Sequence, residues 1–224
     1  MRISVVIPTC NEIARLEATV ASIRRLPGDF EIIVADGGST DGTPELARRL
    51  GIRVVRGTRG RGRQMNEGAT AAMGEVLLFL HADTRLPMNA HRLVGEALAR
   101  PGVAGGCFRL SFDRDSPGLR FSAFVTRFSF SLLHYGDSAY FVRASTFRAL
   151  GGYRPYPIME DIDLWRRLRK RVRLIVLDAP VVTSSRRFDR HGVFKQQCLG
   201  CALLLLFLLG VSPFRLERFY GDVR

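Results

Sequence analysis

The stretch from Leu77 to Thr84, LLFLHADT, changes within one step from apolar to polar. Its four apolar residues predict a buried strand, at whose end His81 and Asp83 would point the same way because side chains alternate along a strand. In an open α/β sheet, ligands bind just outside the carboxyl ends of the strands. A carboxylate at that place can hold a divalent cation, which in turn can hold a diphosphate. The alternative interpretation is that Asp83 caps the helix that follows.

Three more apolar segments precede this strand, and each is followed by a helical pattern. The predicted strands cover residues 3–7, 30–35, 52–55 and 76–80, and the predicted helices between them cover residues 13–26, 43–50 and 64–73. Parallel neighbours need a crossover, so the alternation predicts an α/β fold with a mostly parallel sheet and helices on both faces. The polar loops after these strands should therefore meet at one edge of the sheet.

The second half of the chain has a less regular pattern. We expect strands over residues 103–112, 137–142 and 173–177, and helices over 87–100, 119–133 and 160–171. The helix over 119–133 is aromatic, as a lid or an acceptor-facing element would be. Residues 1–185 are expected to form one α/β domain, and residues 186–224 a helical extension that ends the chain.

The extension contains an uncharged apolar run over residues 198–211 with arginines on both sides. A spanning helix needs about 20 apolar residues, so this run is too short for one. An apolar helix with basic flanks is typical of membrane interfaces. Packing on the core, contact with a membrane surface and membrane spanning remain the three alternatives. The C-x-x-C pair Cys198 and Cys201 lies in this run without a second pair, which favours buried small residues over a zinc site.

The composition indicates a globular protein with an anionic partner. The chain has 224 residues and a formal net charge of +13, which comes almost entirely from arginine. Such an excess is typical of phosphate, nucleic-acid or anionic-membrane partners, although codon bias also produces it. Nucleic acid is not expected, because the arginines lack interleaved stacking aromatics. The first strand begins at once, without a predicted signal peptide, so a cytoplasmic protein with free thiols is expected.

Two loops at the predicted edge of the sheet are suited to a nucleotide. Asp36, at the end of a strand, begins a glycine-rich loop and can accept hydrogen bonds from a base or ribose. The alternative is a tight turn in which Thr40 or Asp41 caps a helix. The loop from Arg59 to Arg63 holds three arginines among glycines and can bind phosphate, or else it is a solvated basic loop. Neither a Walker loop nor a dinucleotide fingerprint is present.

Glu160 and Asp161 form a second acidic centre, where a charged helix begins. Carboxylates are favoured at a helix N-terminus by the helix dipole, so capping is one interpretation. The other is that one of them takes a proton from an acceptor hydroxyl. Asp163 is expected to pair with Arg166 or Arg167.

The order of these motifs resembles glycosyltransferase family 2 over roughly residues 1 to 185. The resemblance is greatest to its small bacterial single-domain members, labelled selenodomain-associated or arsenosugar-type transferases. It rests on Pro8-Thr9-x-Asn11-Glu12, Asp36-Gly-Gly-Ser-Thr-Asp-Gly-Thr43, Asn66-x-Gly68, His81-Ala-Asp83, Gly151-Gly152-Tyr153 and Glu160-Asp161-x-Asp163-Leu164.

The resemblance implies a GT-A fold and an inverting transfer from a nucleotide-diphospho-sugar. The catalytic residues would be Asp161 as base, with Glu160 beside it, and Gly136 and Asp137 would face the acceptor. Arg187 is a further candidate for the diphosphate. The expected nucleotide-sugar contacts are Pro8, Thr9, Asn11, Glu12, Asp36, Gly37, Arg59, Arg63, His81, Ala82 and Asp83.

Asp83 matches the second acid of the family's D-x-D metal motif, whereas His81 replaces the first. Imidazole is a poorer ligand than carboxylate for Mg²⁺ but is acceptable for Mn²⁺, so metal identity and metal dependence stay open. Two other functions also stay open: a nucleotidyltransferase, and a non-catalytic membrane-surface protein on a degenerate transferase scaffold. The apolar stretches suggest a lipid-linked acceptor and peripheral contact with the inner face of a membrane.

Overall fold

The computed structural model describes residues 1–125, 136–186, 188 and 192–220. The strands are β1 (Ile3–Thr9), β2 (Phe30–Asp36), β3 (Arg53–Arg56), β4 (Val76–Phe79), β5 (Thr84–Arg85), β6 (Val103–Phe112), β7 (Phe141–Arg143) and β8 (Arg173–Thr183). The helices are α1 (Ile13–Arg24), α2 (Thr43–Arg49), α3 (Arg61–Ala71), α4 (Ala90–Leu98), α5 (Pro117–Val125), α6 (Ala144–Ala149), α7 (Glu160–Arg169), α8 (Val193–Leu208) and α9 (Pro213–Tyr220). A 3₁₀ turn covers Gly136–Ser138.

These strands form one sheet in the order β3-β2-β1-β4-β7-β6-β8-β5. The first four are mutually parallel, β7 runs antiparallel to both β4 and β6, and β8 runs parallel to β6. The short β5 pairs antiparallel with β8. The sheet is therefore mostly parallel, as the alternation predicted, and six of its strands end at the same edge.

The chain reverses its direction across the sheet at β1. From β1 it crosses to β2 and then β3 on one side, and it returns to place β4 on the other side of β1. Such a switch point opens a crevice between the loops that leave the two central strands. Thr9 ends β1 and His81 follows β4, so the two loops that carry the first motifs flank this crevice.

Helices cover both faces of the sheet, as predicted. One face packs Val5, Ile7 and Leu78 against apolar residues of α1 and α4. The other face packs Val6, Leu77 and Phe79 against residues of α3, α6 and α7. Every residue of β1 and β4 is buried, and alternate residues point to opposite faces of the sheet. Fully burying each such apolar side chain contributes about 1.5–3 kcal/mol, so both layers are held by these two strands.

Two motifs without an assigned role hold α3 in place and connect it to α7. A Cβ at Gly68 would clash with the Val6 side chain, so glycine lets α3 lie close to β1. The Asn66 side chain donates to the Tyr153 carbonyl at 2.8 Å and accepts from its N–H at 2.9 Å. The preceding Gly152 has a φ of +67°, where glycine is favoured. These contacts fix the segment that leads to Glu160.

Several element boundaries differ from the predictions. Residues 137–142 are not one strand, because the 3₁₀ turn and the left-handed Ala139 (φ 48°) delay β7 to Phe141. β8 continues beyond residue 177 to Thr183, because a register shift opposite Phe108 and Arg109 accommodates Pro180. Of the helix predicted over 119–133, α5 ends at Val125 and residues 126–135 lie outside the described residues. The short elements β5 and α6 were not predicted, whereas α9 lies within the helical extension expected over residues 186–224.

The C-terminal helices pack beside the start of α7 through a small apolar cluster. Leu203, Leu204 and Leu216 join Ile158 and Ile162 in this cluster. The opposite faces of α8 and α9 are exposed. Within the described residues, no helix combines the length and apolarity that crossing a membrane requires.

Cys198 and Cys201 do not occupy the buried places that the apolar run predicted. Both are exposed on α8, because the packed side of that helix is formed by Leu203 and Leu204. None of the four cysteines is part of a disulfide.

Candidate active site

A cavity of about 960 Å³ lies at the carboxyl edge of the sheet. Its walls come from the loops after β1, β3, β4 and β8, together with α5, α8, α9 and residues 155–161. The predicted site residues that line it are Pro8, Thr9, Glu12, Arg59, Arg63, His81, Ala82, Asp83, Asp137 and Asp161. The structure thus brings together five predicted stretches that are far apart in sequence. The loop predicted over 59–63 is shorter than expected, because α3 begins at Arg61.

Asp36 is engaged by its own turn. Its Oδ2 accepts from the N–H groups of Gly38 and Ser39 at 3.1 and 3.0 Å, and its Oδ1 accepts from the Thr9 hydroxyl at 3.2 Å. The residue is 1% exposed. These bonds match the tight-turn interpretation, while the expected contact of Asp36 with a nucleoside stays a prediction.

The loop after β2 also caps α1. Asp41 Oδ2 accepts from the Ile13 N–H at 3.0 Å, and its Oδ1 accepts from the Thr43 N–H at 2.9 Å. The N-cap residue of α2 is Gly42, so neither Thr40 nor Asp41 is the cap of the following helix that the tight-turn interpretation expected. Asn11 has a left-handed backbone (φ 57°) and accepts from the Thr40 N–H at 2.9 Å. The loops after β1 and β2 are therefore locked to each other.

Gln64 is a structural part of the site that sequence reasoning missed. Its amide nitrogen donates to the carbonyls of Thr9 and Ala35 at 2.7 and 2.9 Å, so it satisfies the ends of β1 and β2. A Cβ on Gly37 would lie 2.8 Å from the Gln64 amide, which explains a glycine there. The available signal was one long polar residue on the sheet-facing side of α3.

His81 and Asp137 form a close pair on one wall of the cavity. Nδ1 of His81 lies 2.6 Å from Oδ1 of Asp137. Burial disfavours the imidazolium, but the charge and hydrogen bond of Asp137 outweigh burial, so the pKa of His81 is raised. Gly136 begins the same 3₁₀ turn. Sequence reasoning proposed both members of the pair but not the contact between them.

Asp83 faces the cavity beside His81. Burial raises the pKa of its carboxyl, and the positive charges of His81 and Arg186 only partly oppose this effect. No helix starts at Asp83, since β5 follows it and α4 begins only at Ala90, so the helix-cap alternative is wrong. The Asp83 carboxylate therefore lies at a strand end without serving a helix N-terminus.

Arg186 is the cation that contacts the acidic residues after β1 and β4. Its guanidinium donates to Glu12 Oε1 at 2.8 Å and lies 3.4 Å from Asp83 Oδ2. Sequence reasoning named its neighbour Arg187, which lies outside the described residues. The pattern Arg186-Arg187 alone gives no way to choose between them.

Glu160 and Asp161 begin α7 but have different surroundings. Glu160 is 2% exposed and lies 3.1 Å from Nε of Arg61, an arginine of the basic loop that we had not selected. Burial raises the pKa of Glu160 against the opposing charge of Arg61, and the pKa of Arg61 is raised chiefly by Glu160. Asp161 lines the cavity, and its Oδ1 accepts from the Ile162 N–H at 2.7 Å.

Backbone strain is concentrated around the cavity. Within the part of the chain that the structure describes, three residues other than glycine have a positive φ: Asn11, Ala139 and Met159. Each comes directly before or shortly after a predicted site residue. Left-handed backbone costs such residues about 1–2 kcal/mol, and strain of this kind tends to lie at functional sites.

Asp163, further along α7, pairs with Arg167 at 2.6 Å, one of its two expected partners.

The donor set can hold a divalent cation if a ligand completes it. Asp83 offers a carboxylate and His81 an imidazole on the same wall. In the described ranges, no three or more His, Cys, Asp or Glu side chains are grouped as a complete metal cage. Mg²⁺ is usually bound through one or two carboxylates together with substrate phosphates and water, and Mn²⁺ also accepts oxygen ligands. The residues therefore fit a cation shared with a diphosphate.

Relatives of the chain are glycosyltransferases. The family model described as glycosyl transferase family 2 matches residues 4–151. A PGL/p-HBAD biosynthesis glycosyltransferase from Mycobacterium bovis is 45% identical over 91 residues, which cover 37% of this chain and 36% of the relative. The chain therefore matches only about a third of the length of that curated relative.

Solved structures share the fold. Mannosyltransferase PcManGT from Pyrobaculum calidifontis, in complex with GDP-Man and Mn²⁺, superposes with a TM-score of 0.69 and 20% identity over 99% of this chain and 65% of its own. Glucosyl-3-phosphoglycerate synthase from Mycobacterium tuberculosis, with Mn²⁺, UDP and phosphoglyceric acid, gives a TM-score of 0.64 and 24% identity over 94% and 79%. The architecture is thus the GT-A fold that the resemblance implied. The match over residues 4–151 decides the family: the chain belongs to glycosyl transferase family 2.

Proposed function

We propose that the protein is an inverting glycosyltransferase that moves a sugar from a nucleotide-diphospho-sugar to an acceptor hydroxyl. One observation carries the proposal: a single cavity contains a carboxylate at the start of α7, Asp161, and a separate acidic wall with Asp83 and His81. Proton removal from an acceptor and departure of a diphosphate need two such centres. Family membership and the shared fold support this assignment.

The nucleotide is proposed to lie at the switch point, near Pro8, Thr9 and Ala82. Arg59, Arg63 and Arg186 all line the cavity and can donate to phosphate oxygens. Arg186 would exchange its bonds to Glu12 for bonds to the diphosphate. A divalent cation bound by Asp83 and His81 would neutralise the charge that develops on the departing diphosphate. The Mn²⁺ and nucleotide complexes of the two solved relatives support a donor of this type.

Asp161 is proposed as the general base. As the acceptor hydroxyl attacks the anomeric carbon, its proton passes to the Asp161 carboxylate, and the bond from that carbon to the diphosphate oxygen breaks. One displacement inverts the configuration and needs no covalent enzyme intermediate. Glu160 is buried against Arg61, so its proposed task is to hold that arginine and the first turn of α7.

The acceptor is proposed to be apolar or lipid-linked. Leu110, Phe112, Phe121, Ile158 and Phe214 line the cavity alongside its charged residues. These side chains and Asp161 line the same cavity, so they would give such an acceptor an apolar wall.

Contact with the inner face of a membrane is proposed for the face of α8 and α9 that lies away from the core. Leu209 is 81% exposed there, and Arg215 and Arg218 are also exposed. Apolar side chains beside arginines fit an anionic lipid surface. Arg218 also lines the cavity, so the test uses Arg215, which does not. Reversing its charge (R215E) should weaken sedimentation with vesicles of anionic lipid, and unchanged sedimentation would refute the contact. A cytoplasmic location is part of this proposal.

A calorimetric titration tests the donor site. Wild-type protein and the variant Asp83→Ala are titrated with UDP and GDP, with and without Mn²⁺. We expect one nucleotide to bind in a metal-dependent manner and this binding to be lost in Asp83→Ala. Binding without Mn²⁺ would leave the arginines as the diphosphate site and remove the metal from the proposal. Binding of neither nucleotide would refute these two donor bases.

A further inference from the structure

The contact between His81 and Asp137 is built by the sheet. β4 and β7 are antiparallel neighbours, so the end of β4 lies beside the start of β7. The backbone N–H of Phe79 donates to the carbonyl of Tyr140 at 2.8 Å and holds the two segments together. His81 follows the first strand and Asp137 precedes the second, and their side chains meet at 2.6 Å. The geometry is therefore set by backbone pairing rather than by two mobile surface chains.

The contact determines which nitrogen of His81 is available. A neutral imidazole has one N–H and one lone pair, and its partners decide which nitrogen carries the proton. A carboxylate at Nδ1 retains the proton there and leaves the lone pair on Nε2. Among the described residues, no hydrogen bond engages Nε2, and His81 lines the cavity together with Asp83. A carboxylate bonded to the second nitrogen is the usual support of a histidine that binds a metal.

We propose that Asp137 is a positioning residue for the metal site: it holds His81 in the tautomer that presents Nε2 to a divalent cation beside Asp83. Asp137 then contributes to donor binding through His81. The family resemblance had implied a different role for it, contact with the acceptor. The inference rests on the proposed function, because it assigns a task within that donor site. It also explains how an imidazole can serve where the family's motif has a carboxylate: the turn before β7 supplies the Asp137 carboxylate that supports the imidazole.

The first experiment measures Mn²⁺ affinity rather than turnover. Free Mn²⁺ is followed by electron paramagnetic resonance while protein with UDP is titrated. Asp137→Ala should weaken Mn²⁺ binding about 10–100-fold, the usual effect of losing such a support. Asp137→Asn should recover part of the loss, because its amide oxygen can still accept from Nδ1–H.

The control is the same change in a chain without the histidine. In His81→Asp, which restores the family's carboxylate, adding Asp137→Ala should cost no Mn²⁺ affinity. An equal loss in both backgrounds would mean that Asp137 acts only on the fold or directly on the ligand, and would overturn the inference. No loss in either background would overturn it as well.

A second readout needs no bound metal. Long-range ¹H–¹⁵N spectra of the metal-free protein, at a pH where His81 is neutral, report which ring nitrogen holds the proton. Wild type should show Nδ1–H, and Asp137→Ala should shift toward Nε2–H. An unchanged tautomer refutes the positioning role. If wild type fails to bind Mn²⁺ with any nucleotide, the metal-dependent donor site fails and takes this inference with it. If wild type binds but the Asp137 variants bind equally well, only this inference fails.

Discussion

Asp36 ends β2 and Asp83 follows β4, the two strands that flank β1, and the two residues use their carboxylates in opposite ways. Asp36 accepts hydrogen bonds from two N–H groups of its own turn and from the Thr9 hydroxyl at the end of β1. Asp83 faces the cavity, and burial raises the pKa of its carboxyl despite the arginine beside it. The Asp36 carboxylate holds its own turn together, whereas an ionised Asp83 lowers the stability of the fold when no ligand is bound. A charged group kept at a cost to the fold indicates a ligand site.

The same contrast distinguishes two acidic residues of α7. Substituting them should have the largest effect of all on turnover. Asp161 faces the cavity, while Asp163 pairs with Arg167 on the same helix. Asp161→Asn should lower turnover about 100- to 10,000-fold, because a general base contributes that much. Nucleotide affinity in the calorimeter should be retained. The matched control Asp163→Asn should keep turnover, and full activity in Asp161→Asn would refute the assignment of the base.

Removing the Asp36 carboxylate, which holds its own turn together, should lower the free energy of unfolding. Asp36→Ala leaves the N–H groups of Gly38 and Ser39 without their acceptor, and a lost partner of this kind costs about 1–3 kcal/mol in the free energy of unfolding. Urea unfolding measures the change. If stability is unchanged and only UDP affinity falls, Asp36 belongs with the ligand-binding carboxylates, and the comparison is wrong.

The smallest expected effect is a gain in stability rather than a loss. Asp83→Asn should raise the melting temperature of the metal-free protein at neutral pH, because an ionised Asp83 is disfavoured in the fold. Its folded pKa is above the unfolded value, so ionisation lowers stability as pH rises through the folded pKa. The gain should therefore disappear when the pH falls below the unfolded pKa of aspartate. A lower melting temperature in Asp83→Asn at pH 7 would show that the ion pair with Arg186 outweighs burial.

The motif positions were predictable because strands and turns have local signatures. The apolar runs that precede Thr9, Asp36 and His81 located the loops that meet at the edge of the sheet. Local signatures did not distinguish Arg186 from Arg187, or Arg61 from Arg59 and Arg63. An arginine side chain is long, and its partner is chosen by the surrounding fold. Gln64 was missed for a similar reason, since it lies on α3 and the two carbonyls to which its side chain donates, those of Thr9 and Ala35, lie on β1 and β2.

The sequence by itself determined the alternation of strands and helices, the loops that carry the chemistry and the family resemblance, because hydrophobic period and turn residues act over a few positions. Only the tertiary structure decided the roles of the charged groups. Glu12 pairs with Arg186 across 174 residues, and Asn66 pairs with Tyr153 across 87. Such contacts depend on which strand ends become neighbours. The same dependence separates Asp36, satisfied within its turn, from Asp83, whose carboxylate faces the cavity.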